Sequence, residues 1–162
     1  MTDEEFVHEI YALSYRRLVG QLFAVCGELP TAEDVVQEAF VRAVAQSQTF
    51  RRLDNPEAWL YRVALNVHHS RWRRIKTYAG LLPKLTPRAN GLELSPDHVV
   101  LVAALRRLPA AQSEAIVLHH VADLPVHEVA ATLGVPVGTV KARLARGRTA
   151  LAEMLTEEDH HA

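Results

Sequence analysis

The chain has a single cysteine among its 162 residues, so an internal disulfide framework is excluded. That residue, Cys26, has apolar neighbours and is expected to pack as a small hydrophobic side chain. No uncharged stretch approaches the roughly 20 residues needed to cross a bilayer. The acidic N-terminus also lacks the basic segment that begins a secretory signal. The sequence therefore predicts a cytoplasmic protein that does not insert into a membrane.

Signals for β-strands are nearly absent as well. The one Asn-Gly pair falls in a segment rich in proline and glycine rather than between two alternating apolar runs. Apolar residues instead recur at helical spacing along most of the chain. We expect an all-α protein with two small helical domains, residues 1–76 and 95–157. The first has a loop at 47–55, and the second has a helix over 111–121. A flexible linker at 77–94 joins the two domains, and a loose tail at 158–162 follows.

The motifs of common enzyme classes are missing. The sequence has no cysteine pair, no glycine-rich phosphate loop and no nucleophile motif. His127 and Glu128 are followed by Val-Ala-Ala, so the metalloprotease pattern of two histidines four residues apart is not met. We expect no enzymatic activity, no metal site and no cofactor.

Charge is distributed unevenly, although the net charge is only −1. Residues 1–50 hold three Lys or Arg against eight Asp or Glu, whereas residues 51–90 hold nine against two. Four cations lie between residues 141 and 148, with no acid until Glu153. A pI near 6.8 argues against tight nucleic-acid binding by charge alone. The distribution permits two local basic surfaces and one acidic surface that faces a protein.

The segment PVHEVAATLGVPVGTVKARLARGRTAL, residues 125–151, has the pattern of a helix-turn-helix motif. Gly134 stands where the first helix should end, and Thr139 or a neighbour can begin the second. The second helix of such a motif enters the major groove of DNA. We expect contacts to base edges from Lys141, Ala142 and Arg146, and contacts to phosphates from Arg143 and Arg148. The alternative is a helical hairpin with a solvated basic face.

The segment PEAWLYRVALNVHHSRWRR, residues 56–74, interleaves aromatic side chains with arginines. Pro56, with Asn55 as a cap, is a suitable start for a helix. Aromatic rings beside cations suit single-stranded or melting DNA, because bases stack on the rings and the backbone attracts the charge. Taken alone, Trp59 would more often be a core residue, and Asn66 would more often form a helix-packing hydrogen bond.

An acidic helix is expected at AEDVVQEAFVRA, residues 32–43, with Thr31 as its cap. Acids in a first turn interact favourably with the helix dipole, which would explain Glu33 and Asp34 without any partner. The apolar spacing predicts a buried face made of Val35, Val36, Ala39, Phe40, Ala43 and Val44.

These segments together resemble one family. AEDVVQEAFVRA, then PEAWLYRVALNVHHSRWRR, then LRRLPAAQSEAIVLHHVADLPVHEVAATLGVPVGTVKARLARGRTAL are similar to the extracytoplasmic-function (ECF) sigma factors of bacteria. The resemblance covers about residues 5–155. It implies a promoter-melting domain followed by a domain that recognises the −35 element, with core RNA polymerase and promoter DNA as partners. An anti-sigma factor is a further possible partner.

The resemblance also implies roles for individual residues. Docking on core polymerase would involve Asp34, Gln37, Glu38 and Phe40. Recognition of the −10 element would involve Phe50, Arg51, Arg52, Asp54, Asn55, Trp59, Arg62 and Asn66. Recognition of the −35 element would involve Thr139, Lys141, Ala142, Arg143, Arg146 and Arg148.

A different class of protein would share part of this pattern. A transcriptional regulator could carry the same helix-turn-helix behind an N-terminal sensing or dimerisation domain, and would bind duplex DNA without joining polymerase. Such a protein leaves the tryptophan- and arginine-containing segment 56–74 without an explanation.

Overall fold

The computed structural model describes residues 1–77 and 96–161, and every regular element within those two stretches is helical. The first stretch contains α1 (Asp3–Cys26), α2 (Leu29–Ala45), α3 (Ser47–Arg51) and α4 (Pro56–Thr77). The second contains α5 (Pro96–Arg106), α6 (Ala110–Ile116), a π-helical turn (Val117–Val121), α7 (Val126–Leu133) and α8 (Val137–His161). The chain divides into two compact units, Met1–Gly91 and Leu92–Ala162. The all-α prediction with two helical domains is confirmed.

The first unit is a bundle in which α1, α2 and α4 share one apolar core. The start of α1 is fixed by a capping box: the Glu5 backbone N–H donates to Thr2 Oγ1, and the Thr2 N–H donates to Glu5 Oε2. The core is made of buried aliphatic side chains from all three helices, among them Leu18, Leu22, Val35, Ala39, Leu60 and Leu65.

A polar contact joins α1 to the start of α4. Ser14 is buried, and its hydroxyl donates to Glu57 Oε1 at 2.9 Å. Arg17 forms an ion pair with the same carboxylate oxygen. Because a buried hydroxyl without a partner would be costly, this contact explains a serine on the inner face of α1.

Helix α2 begins earlier than its sequence pattern suggested. It starts at Leu29 with Pro30 in the first turn, a position where proline's missing N–H costs nothing. Thr31 therefore lies inside the helix, and its hydroxyl donates to Glu28 Oε2 at 3.3 Å instead of capping. The prediction of Thr31 as the cap is wrong.

The second unit packs α6 and α7 against α8. Its core is formed by buried aliphatic side chains that these elements share with α5 and the π-helical turn, among them Leu105, Ile116, Leu118, Val129, Val140 and Leu144. The apolar spacing of Val129, Leu133, Val135, Val140 and Leu144 predicts a core shared by the last two helices, and Val129, Val140 and Leu144 are buried in it.

Four further boundaries differ from the sequence expectations. The stretch 47–55, expected to be a loop, contains the short helix α3. The expected tail at 158–162 is helical as far as His161, because α8 meets no glycine or proline after Gly147. The helix expected over 111–121 changes to π-helix at Val117. Thr77, expected to open the linker, ends α4, and residues 78–94 of that linker lie outside the described part of the chain.

Candidate nucleic-acid and partner interfaces

The helix-turn-helix is formed by α7, a short turn and α8. Gly134 ends α7 in the left-handed conformation, with φ of 67°, and its N–H donates to the Ala130 carbonyl. A glycine is favoured there because a Cβ atom is strained at positive φ. At the start of α8, the Thr139 and Val140 N–H groups donate to the Pro136 carbonyl at 3.0 and 3.2 Å. The expected helix–glycine–turn–helix arrangement is confirmed.

Gly147 sets how closely α8 approaches α6. A Cβ atom at this position would lie 2.4 Å from Ile116 Cδ1 and 3.2 Å from Ile116 Cγ1. Both residues are buried, so the absence of a side chain is what lets the two helices meet. The sequence signal was a glycine in the interior of a helix, where glycine is unfavourable unless packing requires it.

The outer surface of α8 carries the residues predicted to contact the −35 element. Of these, Lys141, Ala142, Arg146 and Arg148 are exposed, and Thr139 and Arg143 are half-buried. Arg148 Nε donates to the Leu144 carbonyl at 3.3 Å, which steadies its side chain along the helix. Within the described part of the chain, no carboxylate forms an ion pair with these cations. The positive charge of this surface is therefore not neutralised by the chain's own described residues.

The outer face of α2 carries the residues predicted to bind polymerase. Asp34 and Gln37 are exposed, and Glu38 is half-buried and accepts from Arg42 Nε at 3.4 Å. Asp34 also lies 4.0 Å from Arg71 of α4. Because α2 starts at Leu29, Asp34 is beyond the first turn, where the effect of the helix dipole has largely faded. The dipole explanation for this acid is therefore weakened.

Three apolar side chains of α2, Phe40, Val41 and Val44, differ in their exposure. Phe40 is only 5% exposed, as the apolar spacing predicted, because its ring packs against Tyr11 and Tyr15 of α1. The resemblance had implied that Phe40 docks on polymerase, and a buried ring offers little surface for such a contact. Val44 was predicted to be buried but is 49% exposed, and Val41 is 61% exposed. The spacing of Gln37, Val41 and Val44 by four and three residues is the signal that would have placed them on one face.

The residues before α4 and along its first turns carry the predicted −10 contacts. Phe50 is 1% exposed, because its ring packs between Phe6 and Trp59, with ring centroids 6.0 and 5.3 Å away. Its predicted role as a DNA contact is therefore corrected: Phe50 is a core residue that supports Trp59. An aromatic residue in a short helix has little sequence context to show that it is buried.

Two further members of this set have structural partners. Arg51 forms an ion pair with Asp3 at 3.0 Å and donates to the Met1 carbonyl at 2.7 Å, so it ties α3 to the start of α1. Asn55 caps α4 as predicted, since its Oδ1 accepts from the Ala58 N–H at 3.1 Å. The exposed members of the predicted set are Arg51, Arg52, Asp54, Asn55, Arg62 and Asn66, and Trp59 is half-buried.

The last turns of α4 extend this surface. Trp72 is 53% exposed, and the arginines around it at positions 71, 73 and 74 are exposed as well. An exposed indole among cations matches the pattern that the sequence segment 56–74 had suggested for contacts with unstacked bases.

The paired histidines of the π-helical turn contact each other and the backbone. His119 Nδ1 lies 2.8 Å from the Leu124 carbonyl, and its ring meets that of His120 edge to face at 4.8 Å. Within residues 1–77 and 96–161, no group of three metal-ligating side chains is gathered together. Partial burial is the largest cause that lowers the pKa of His120, and the neighbouring His119 and Arg148 lower it further.

This lowered pKa predicts a loss of stability in acid. The unfolded chain takes up a proton on His120 near pH 6.5, whereas the folded chain does so only at lower pH, so stability falls as the pH drops below about 6.5. We expect His120→Gln to reduce the loss in the urea unfolding midpoint between pH 7.5 and 5.5. Between pH 8.5 and 7.5 the difference in urea unfolding midpoint between the two proteins should stay constant. If the urea unfolding midpoint falls by the same amount in both proteins between pH 7.5 and 5.5, the lowered pKa of His120 is not the cause of the loss.

Comparisons with known proteins match both units in the expected order. The family model Sigma-70 region 2 matches residues 10–77, and the model Sigma-70, region 4 matches residues 98–151. SigW of Bacillus subtilis, an ECF RNA polymerase sigma factor, is 33% identical over 166 residues, covering 92% of this chain and 84% of the relative. EcfG of Rhodopseudomonas palustris is 30% identical over 136 residues, covering 82% and 75%.

Solved structures agree with the sequence matches. The sigma factor RpoE of Bartonella quintana, determined with the anti-sigma factor NepR, is 28% identical, with a TM-score of 0.75 and coverage of 94% of this chain and 98% of that one. CnrH, determined with the cytosolic domain of CnrY, shares the fold at 24% identity with a TM-score of 0.66, covering 93% and 88%. The chain belongs to the ECF RNA polymerase sigma factors. Among its described residues, no helix is both long enough and apolar enough to span a bilayer.

Proposed function

We propose that this chain binds core RNA polymerase and directs the start of transcription at promoters that have a −10 and a −35 element. Its membership of the ECF sigma factors and the two region matches support this function. The observation that carries it is the surface of α8, where Lys141, Arg143, Arg146 and Arg148 lie on the second helix of a helix-turn-helix without any carboxylate partner among the described residues.

Each unit is assigned one of the two promoter elements. We assign −10 melting and recognition to residues 1–76 and −35 recognition to residues 95–157. The side chains available to contact the DNA strand in the first unit are the exposed Arg52, Asp54, Asn55, Arg62 and Asn66. The Trp59 ring is held in place by the ring of Phe50. A half-buried tryptophan fixed from behind can stack on a base at little further entropic cost.

The face of α2 around Asp34, Gln37 and Glu38 is assigned to docking on core polymerase. We add Val41 and Val44 to this docking face, because they are exposed apolar side chains on the same side of the helix. An interface with apolar groups beside a few charged ones is the usual composition of a specific protein contact.

Further partners and location follow from this function. RpoE of Bartonella quintana is named with its anti-sigma factor, and we expect an anti-sigma factor that competes with polymerase for this chain too. The chain would act in the cytoplasm, where polymerase and promoters meet, and would carry out no catalysis of its own.

Loss of Arg146 is expected to lower initiation at the chain's own promoters. An arginine that contacts a guanine edge contributes about 1–3 kcal/mol of discrimination, so Arg146→Ala should reduce transcript yield by about 5- to 150-fold. The measurement is in vitro transcription with core polymerase and fragmented genomic DNA. Arg106→Ala, an exposed arginine of α5, is the matched control. Equal yield from a folded Arg146→Ala protein would remove this residue from the −35 contacts.

The regulator alternative makes a different prediction about DNA binding. A sigma factor should bind promoter fragments weakly by itself and strongly once core polymerase is added, whereas a regulator should bind duplex DNA as a dimer without polymerase. Gel-shift titrations with and without core polymerase separate the two. Strong binding by the chain alone, unchanged by polymerase, would favour the regulator.

A further inference from the structure

An aromatic cluster of Tyr11, Tyr15 and Phe40 adjoins the docking face of α2. The rings of Tyr11 and Tyr15, one turn apart on α1, stack at 4.7 Å with an interplanar angle of 25°. The Phe40 ring meets Tyr11 edge-on at 5.0 Å and lies 6.5 Å from Tyr15. Gln37 of α2 donates from Nε2 to the Tyr15 hydroxyl at 3.2 Å. This hydrogen bond joins the cluster to a residue of the docking face.

The cluster restricts the side chain of Gln37, which would otherwise be free to move because it is exposed. A free Gln37 side chain samples many rotamers, and a partner that binds its amide must pay for fixing them. With Nε2 held by Tyr15, the Oε1 atom remains available to accept a hydrogen bond from a partner. Tyr15 is itself held on one side by Tyr11 and lies near Phe40, so it has little freedom to move away from the glutamine.

We propose that Tyr15 is a positioning residue for polymerase binding: its hydroxyl holds the Gln37 amide in the orientation that the partner recognises. This inference rests on the proposed docking role of α2. It also gives Phe40 a place in the interface, since the buried ring supports the two tyrosines from beneath and does not touch the partner.

The electrostatic surroundings of Tyr15 favour the protonated phenol. Partial burial raises the pKa of Tyr15; the Gln37 hydrogen bond acts in the opposite direction, and Tyr11 and the nearby acids Glu33 and Asp34 raise it further. Asp34 is part of the docking face, and the hydrogen bond from Gln37 places Tyr15 next to that face although Tyr15 lies on α1. A protonated hydroxyl can accept from Gln37 and still donate its own hydrogen.

The test is a double-mutant cycle on the full chain, read out as affinity for purified core RNA polymerase. Tyr15→Phe removes only the hydroxyl and keeps the ring. We expect it to weaken binding by about 2- to 10-fold, the range for one lost hydrogen bond. Gln37→Ala should weaken binding at least as much, and the double variant should bind no worse than Gln37→Ala alone.

Two controls make the outcome specific. Tyr11→Phe also removes a phenolic hydroxyl, but one with no hydrogen bond among the described residues, and should bind as the parent does. Thermal unfolding of all variants separates loss of positioning from loss of fold. Equal affinity of Tyr15→Phe and Tyr11→Phe, or losses that add in the double variant, would overturn the inference while leaving the docking face intact. If charge reversal of Asp34 and Glu38 also left binding unchanged, the docking face and the inference would both be wrong.

Discussion

Reversing the charge of Asp34 and Glu38 is expected to weaken binding to core RNA polymerase by at least about tenfold, because a like-charge contact in an interface costs several kcal/mol. The variant is Asp34→Arg together with Glu38→Arg. Both acids lie on the outer face of α2, and neither is in the first turn, so the helix itself gains little from them. The new arginines would also lie near Arg71 and Arg42, which adds positive charge to the face.

The matched control makes the same charge reversal on α8. Glu153→Arg with Glu157→Arg alters two exposed acids one turn apart on α8, and so gives the same change in net charge at the same spacing. Affinity for core polymerase is measured for both double variants at several salt concentrations. We expect the α2 variant alone to lose binding. If both double variants bind as the parent does, this face of α2 does not dock on polymerase.

Replacing Gly147 with alanine is expected to destabilise the second unit by about 1–3 kcal/mol, the range for overpacking a filled core. The new methyl group would meet Ile116 Cδ1 at 2.4 Å and Cγ1 at 3.2 Å. Ile116 is buried, so its side chain has little room to move aside. Alanine favours a helix interior over glycine by up to about 1 kcal/mol, which offsets only part of this cost.

Two variants test whether the clash is the cause. Gly138→Ala, on the same helix, meets nothing within 4 Å and should be neutral or slightly stabilising. Ile116→Val in the Gly147→Ala protein removes the atom that lies closest and should recover part of the lost stability. Urea unfolding followed by circular dichroism gives the three free energies. A Gly147→Ala protein as stable as the parent would show that α8 and α6 are not packed this closely.

Much of the fold was predictable from periodicity and from a few residues with strong local preferences. Gly134 and Asn55 were placed correctly, because a left-handed helix end and an N-cap each require a particular chemistry. The start of α2 was misplaced, because both Pro30 and Thr31 are good starting residues and only the surrounding structure decides between them. The five-residue α3 and the π-helical turn are too short to give a periodic signal.

The interfaces were predictable in position but less so in detail. The cations of α8 followed from the motif, since its core residues fix which side of the helix is outside. The roles of Phe40 and Phe50 did not follow, because a sequence motif marks a region of contact without separating the residues that touch a partner from those that support them. Both rings are buried behind other aromatic side chains. The Tyr15–Gln37 hydrogen bond joins residues 22 positions apart, which no local pattern reveals.

The most direct test of the central claim is to mix the purified chain with bacterial core RNA polymerase and to follow two results together. Size-exclusion chromatography shows whether the chain co-elutes with polymerase, and sequencing of transcript 5′ ends shows whether the mixture starts at defined genomic sites. We expect co-elution and a set of starts that is lost with the α2 charge-reversal variant. If the chain does not bind core polymerase but shifts duplex DNA by itself, the proposed sigma-factor function is wrong. The α8 surface would then be the DNA-binding surface of a regulator.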